Sequence, residues 1–207
     1  MSPGLGLKVL QKGEKQNTQI HTPLVHPHIF IITATPLNIR THKQRNILPI
    51  TSLFKLKIIE RVRLQDNNLS GKLSLEITQL PWKYLLDISG NKLSGRINVR
   101  KWNMPSVQML NLANNNFSSD LPNSFDSNKV EGLDLSQNQF SGYIQIGFRN
   151  LPELVQLKLN NNNLFGKFPE ELFQCNKLVS LDLSHNQLFG EIPDFRKTRR
   201  NVGSWSI

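Results

Sequence analysis

Apolar residues along most of this chain keep a fixed beat. Two of them stand one residue apart, two polar positions and an Asn follow, then a single Leu or Phe, and then a Gly two residues on. The pattern reads "VRLQDNNLSGKL" from Val62, "LDISGNKLSGRI" from Leu86 and "LNLANNNFSSDLP" from Leu110. It returns as "LDLSQNQFSGYI" from Leu133, "LKLNNNNLFGKFP" from Leu157 and "LDLSHNQLFGEIP" from Leu181. The steps between starts are 24, 24, 23, 24 and 24 residues, so six copies share one phase. Apolar residues at period 2 predict a short strand whose alternate side chains point into a core. A repeat too short to bury its own face must stack on its neighbours.

The motif L-x-L-x-x-N-x-L-x-G-x-[IL] defines a leucine-rich repeat array. It predicts a solenoid, horseshoe or superhelix, with a parallel β-sheet on the concave face and short 3-10 or irregular segments on the convex face. Strands are expected near residues 63, 87, 111, 134, 158 and 182. Asn67, Asn91, Asn115, Asn138, Asn162 and Asn186 should form a buried ladder bonded to turn backbone. The glycines at 71, 95, 142, 166 and 190 suit a tight bend, with Ser119 replacing one. Pro122, Pro169 and Pro193 begin the return, and Ser74, Asn98 and Gln145 stand where other copies have proline. Cys175 occupies the place of Leu151 in the preceding copy and reads as a small buried hydrophobe. A lone cysteine also rules out an intrachain disulfide framework.

Carrying the phase outward sets the domain limits: a non-repeat segment at 1–52, the repeats at 53–194 and a basic tail at 195–207. Leu53, Leu56 and Ile59 fit the closing half of an earlier repeat. Trp205 and Ile207 fall 24 residues after Leu181 and Leu183, where a seventh strand would start. Neither end carries a polar cap, as expected for a slice of a longer solenoid. Residues 1–52 lack periodicity and are expected to be disordered, or the product of a wrongly joined or partial gene.

Charge changes the picture only once it is located. The net +10 divides into +5 over residues 1–52, +1 over 53–194 and +4 over 195–207. The repeats are therefore nearly neutral, and a nucleic-acid partner, which needs basic groups on the folded face, is not expected. His21, His26, His28 and His42 cluster without acidic or Cys company, so neither metal nor cofactor is expected. No run is apolar and long enough to span a membrane, and the first residues do not read as a signal peptide. Asp87, Asp134 and Asp182, with Ser89, Ser136, Ser184 and His185, hold the elements of a hydrolase triad. They recur as "L-D-[LI]-S" in different repeats, which points to consensus positions of the concave face rather than to an enzyme.

The form L-x-x-N-x-L-S-G-x-I-P, near 24 residues, resembles the plant extracellular class of leucine-rich repeats. Within it, "ERVRLQDNNLSGKL", "LLDISGNKLSGRIN", "NMPSVQMLNLANNNF" and "LVSLDLSHNQLFGEIPD" look like the ectodomain of plant receptor-like kinases, of the sterility-regulating-kinase-member type. The resemblance implies a parent with a signal peptide, about twenty repeats, one membrane span and a cytoplasmic Ser/Thr kinase. That parent would lie in the plasma membrane with its repeats outside, pair with a co-receptor kinase and bind a secreted peptide. No kinase motif is present here. Two alternatives stay open: an inhibitor or scaffold similar to the polygalacturonase-inhibiting proteins, and a truncated product without function.

Candidate sites follow from the same phase. The sequons at Asn68 and Asn116 each lie one residue after a ladder Asn, at a position expected to face solvent, where secretion would permit glycosylation. Arg61 and Arg63 flank Val62, so period 2 turns both outward. Read from the residues alone, they form either a solvated pair eased by Glu60 or Asp66, or a clamp for one carboxylate. The resemblance favours the clamp, because receptors of this class carry an Arg-x-Arg pair that holds the free C-terminus of a peptide. It implies a CLE-type ligand, with Asp87, Met109 and Asn111 as floor residues further along.

Overall fold

The computed structural model describes residues 7–11, 30–34, 59–73, 84–97, 101–191 and 203–207, with side chains from Arg61 onward. The repeats stack as a solenoid around one apolar core. Strands Ile59–Arg63, Leu85–Asp87, Met109–Asn111, Gly132–Asp134, Gln156–Lys158, Ser180–Asp182 and Ser204–Ser206 lie parallel in a single sheet. Its register pairs Val62, Leu86, Leu110, Leu133, Leu157 and Leu181 in sequence, and each is at most 3% exposed. The strands end on the residues at which they had been expected to centre. The next N–H still bonds across, as Leu64 does to the Asp87 carbonyl at 2.7 Å, before the chain bends away. Ser204–Ser206 supplies the seventh strand that the phase of Trp205 anticipates.

The bend is made by a residue that no apolar pattern reveals. Asp66, Gly90, Asn114, Gln137, Asn161 and His185, each just before a ladder Asn, have φ between +52° and +63°. This left-handed conformation is strained for most side chains, least so for Gly, Asn and Asp. It turns the following Asn inward. The Asn91 amide donates to the carbonyls of Leu64, Ile88 and Ser89, each at 2.9 Å, while its Oδ1 accepts the Leu69 N–H at 3.0 Å. Asn115, Asn138, Asn162 and Asn186 repeat this set. One side chain thus closes its own turn and ties it to the repeat before. All six ladder residues bond backbone, but only Asn91, Asn138 and Asn162 are buried, at 6–9% exposure. Asn67 and Asn186 stand at the two ends of the described ladder and are half-buried, as is Asn115, so the expectation of six buried residues is corrected there.

A second sheet, absent from the sequence reading, follows the turn. Ser70–Lys72, Lys92–Gly95, Asn116–Asp120, Gln139–Gly142, Asn163–Lys167 and Gln187–Phe189 form it. Gly71, Gly95, Gly142, Gly166 and Gly190 take φ from +81° to +127°, whereas Ser119 is not left-handed. The convex side carries 3-10 turns at Ile146–Asn150 and Glu170–Gln174, and a two-strand parallel pair, Lys101–Asn103 with Ser124–Asp126. Beneath these, Trp102 packs edge to face on Phe125 with centroids 5.6 Å apart, and Phe148 lies tilted against Phe125 at 5.0 Å. Cys175 is fully buried, its thiol donating to the Phe148 carbonyl at 3.2 Å.

Most of 1–52 lies outside the described residues, and so do His21, His26, His28, His42, Leu53 and Leu56. Within that segment the structure nevertheless shows two strands. Leu7–Gln11 pairs antiparallel with Phe30–Ala34, which pairs parallel with Ile59–Arg63 and extends the concave sheet past the first repeat. Both strands fall on short apolar runs, "LKVLQ" and "FIITA".

Candidate functional site on the concave face

The concave sheet presents its outward side chains in rows. One row runs Arg61, Leu85, Met109, Gly132, Gln156, Ser180; the next runs Arg63, Asp87, Asn111, Asp134, Lys158, Asp182. Neighbours in a row sit on adjacent strands, about 4.8 Å apart. The two arginines and the three floor candidates, Asp87, Met109 and Asn111, therefore occupy three consecutive strands of one face.

Arg61 and Arg63 are exposed on either side of Val62, which is fully buried and fixes the strand's facing. Their Cα atoms are about 6–7 Å apart. Two like charges carried on the same side of one strand repel each other. The ion pairs among the described residues are Lys101–Asp126, Lys158–Asp134 and Lys177–Glu153, and neither arginine takes part in one. Arg61 instead lies 6.0 Å from the centre of the Tyr84 ring, a distance at which the ring face attracts a cation.

Asp87 is opposite Arg63 in register, yet its Oδ1 is engaged elsewhere. It accepts the Ser89 N–H at 3.1 Å and the Ser89 hydroxyl at 2.6 Å. Asp134 with Ser136 and Asp182 with Ser184 form the same arrangement. Asn111 copies it by accepting the Ala113 N–H at 3.1 Å, and its amide donates to the Ser89 hydroxyl at 3.3 Å. These side chains brace the exit from the strand, as Asx turns do. The Ser hydroxyls donate to carboxylates two residues away within the same turn, so these Asp and Ser residues serve as turn formers. Among the described residues no group of three or more His, Cys, Asp or Glu is placed to hold a metal.

Met109 is 40% exposed. It lies flat over Gly132, where an added Cβ would come within 2.4 Å of the Met109 methyl and 2.5 Å of its sulfur. Tyr84, Leu85 and Gly132 were missed by sequence reasoning; the period-2 register that turned Arg61 outward also turns Leu85 and Gly132 to the same side, whereas Tyr84 precedes its strand and no alternation places it. The two sequon residues, Asn68 and Asn116, are exposed away from this face. Asn116 opens a strand of the second sheet, and its Oδ1 accepts a hydrogen bond from the Gln139 amide.

Residues 128–188 match the family model described as Leucine rich repeat, and residues 106–128 match a second Leucine Rich Repeat model. No curated protein matches the chain. Among solved structures it resembles the ectodomain of the Arabidopsis receptor kinase HAESA in complex with an N-terminally extended IDA peptide hormone. Identity is 31% and the TM-score 0.60, covering 74% of this chain and 26% of that one. HAESA in complex with IDA and the co-receptor SERK1 matches at 30% identity and a TM-score of 0.50, covering 73% and 30%. The plant peptide hormone receptor RGFR1 in complex with RGF2 matches at 25% identity and 0.50, covering 72% and 28%. The chain thus spans less than a third of the length of each. No helix among the described residues is long and apolar enough to cross a membrane. The chain is built of leucine-rich repeats and has the solenoid fold of plant receptor-kinase ectodomains.

Proposed function

We propose that this chain is a ligand-recognition part of a plant receptor-like kinase ectodomain, and that it binds a secreted peptide on its concave face. Arg61 and Arg63 clamp the peptide's C-terminal carboxylate, and the ligand is of CLE type. Asp87, Met109 and Asn111 form the floor beyond the clamp. The parent is a Ser/Thr kinase of the sterility-regulating-kinase-member type, held in the plasma membrane with these repeats outside. It works with a co-receptor kinase, and its chain carries glycans at Asn68 and Asn116.

One observation carries this reading. Two exposed arginines share one strand of the concave sheet, and neither has a carboxylate partner among the described residues. An anion seated between them offsets their mutual repulsion, and guanidinium forks match a carboxylate in plane. HAESA and RGFR1 were each solved with a peptide hormone, which supports a peptide as the anion's bearer.

Calorimetry with a synthetic CLE-type peptide tests the clamp. A charge-assisted hydrogen bond contributes about 1.5–3 kcal/mol, so amidating the C-terminus should weaken binding roughly ten- to a hundredfold. Arg61→Ala/Arg63→Ala should do the same and should no longer distinguish acid from amide. Equal affinity of wild type for both peptides refutes the clamp.

A further inference from the structure

The second sheet carries aromatic rings that the stacking of repeats does not need. Three residues after each ladder Asn the chain has an outward side chain. It is Ser70, Ser94, Ser118 and Ser141 in the first four copies, but Phe165 and Phe189 in the next two. Two residues further on, Lys72, Arg96, Asp120, Lys167 and Glu191 are charged, and the fourth copy has Tyr143. None of these three rings fills the core: Tyr143 is 59% exposed, Phe165 39% and Phe189 60%. The inward contact of the last two copies is already made by Leu164 and Leu188.

Register brings the rings together. Ser141 pairs with Asn163 and Gly142 with Leu164, which sets Tyr143 beside Phe165, and the two rings meet edge to face with centroids 4.7 Å apart. Phe165 pairs with Gln187 and Lys167 with Phe189, so Phe189 lies one strand over and two residues along. That diagonal is about 8 Å, from a strand spacing near 4.8 Å and a rise near 3.3 Å per residue. Aromatic rings therefore stand at two stations, Tyr143 with Phe165 and then Phe189. The exposed side chains of Gln187 and Lys167 stand beside them.

Size and spacing select the occupant. At roughly 200 Å² for a whole aromatic side chain, the exposed parts of the three rings come to about 300 Å². A stable globular interface needs roughly 800 Å² per partner. A polyproline II segment docks on a smaller area because its conformation is set before binding. It advances about 3.1 Å per residue with three residues per turn, so one face recurs about every 9 Å, close to the diagonal between the stations. Its prolines pack on aromatic faces, and its unpaired carbonyls accept hydrogen bonds from donors such as Gln187 and Lys167. We propose that Tyr143, Phe165 and Phe189 form a second binding surface, separate from the concave face, for a proline-rich segment in the polyproline II conformation.

The test uses the full chain and fluorescence anisotropy of labelled decaproline. Its C-terminus is amidated, so no carboxylate reaches the arginines and the result leaves the clamp untouched. A Gly-Ser peptide of equal length is the control. Decaproline should bind saturably and at least tenfold tighter than the control. Phe165→Ser/Phe189→Ser gives the fifth and sixth copies the residue of the first four, so its melting curve should match that of wild type. It removes a ring from each station and should weaken binding at least tenfold. Tyr143→Lys, with the residue that Lys72 and Lys167 place there in other copies, should weaken it at least threefold. Equal binding of decaproline and the control, or unchanged affinity in the double variant, overturns the proposal. Cellohexaose binding or self-association in sedimentation, lost in the double variant while decaproline fails to bind, would reassign the rings to a sugar or to a second copy and overturn it as well.

Discussion

Replacing Asn138 with Ala tests whether the ladder, rather than apolar stacking alone, holds successive repeats together. Its amide donates to Leu112, Leu135 and Ser136 carbonyls at 2.9, 3.3 and 3.0 Å, and its Oδ1 accepts the Phe117 N–H at 3.0 Å. The four partners do not lose equally. The Leu112 carbonyl keeps the Asn115 amide, Leu135 keeps the Asn162 amide and Ser136 keeps the Asn114 N–H. Phe117 N–H loses its acceptor at a residue that is fully buried. An unsatisfied buried donor costs about 1–3 kcal/mol, and the vacated amide volume adds a smaller cavity cost. The expected loss is therefore about 2–3 kcal/mol, concentrated at the junction between the third and fourth repeats, because each repeat touches only its neighbours.

Asn138→Asp separates acceptor from donor at the same site. It keeps an oxygen for Phe117 N–H but aims a second oxygen at three carbonyls with no proton between. The buried carboxylate is disfavoured when charged, so its folded-state pKa lies above the unfolded value. The variant should then be destabilised at neutral pH relative to wild type, and the deficit should shrink as pH falls through the raised pKa, where the protonated acid donates once more. Urea titrations of wild type and both variants at neutral and acidic pH, followed by circular dichroism, supply the differences. A loss below about 0.5 kcal/mol for Asn138→Ala, or an aspartate penalty independent of pH, would refute the ladder argument.

Other outcomes follow from single contacts. Gly166→Ala must place a methyl at φ +104° and within 2.5 Å of the Tyr143 ring, so it should lower stability by about 1–2 kcal/mol in thermal melts. Asp134→Ala removes the acceptor for the Ser136 N–H and hydroxyl and should cost about 1 kcal/mol by denaturant titration. Cys175, fully buried, should resist a thiol reagent in the native state and react at once in denaturant. Expressed through a secretory pathway, the chain should lose glycan mass stepwise in Asn68→Gln and Asn116→Gln, as read by mass spectrometry.

The parts of this fold legible in the sequence are those in which side-chain identity alone sets the geometry. Leu86 and Ile88, Leu110 and Leu112, and Leu133 and Leu135 each enclose one polar residue, and a strand with one buried face follows from that alternation. Asn at a fixed offset announced the ladder, since an Asn repeated next to apolar residues needs backbone partners. The second sheet was not legible. Strand Gln139–Gly142, for example, has one inward residue, Phe140, and is made by hydrogen bonds between stacked copies rather than by local alternation. The left-handed residue before each ladder Asn left a faint trace in the Asp, Gly and Asn found there, blurred by Gln137 and His185. At the candidate site, the outward facing of Arg61 and Arg63 could be read, but not the commitment of Asp87 to Ser89. That bond depends on how the chain bends after Ile88.

The two rows of the concave face have different physical standing, and this bears on where binding specificity resides. In the row from Arg63, every described neutral or acidic member from Asp87 to Asp182 serves its own turn, and Lys158 leans toward Asp134 at 3.7 Å. Changing such a residue disturbs the solenoid before it disturbs a ligand. In the row from Arg61, Met109 and Gly132 serve no turn, and the strand pairing beneath them uses backbone alone. Side chains there can be exchanged at little cost to the fold, so differences between concave faces with identical scaffolds should accumulate in that row. Arg61 belongs to it and has Leu85, not an acid, as its described neighbour in the row. Arg63 has Asp87 beside it and belongs to the braced row. Of the two arginines, Arg61 is thus the one with no acid beside it in its row among the described residues, where the Tyr84 ring 6.0 Å away, rather than a carboxylate, faces its charge.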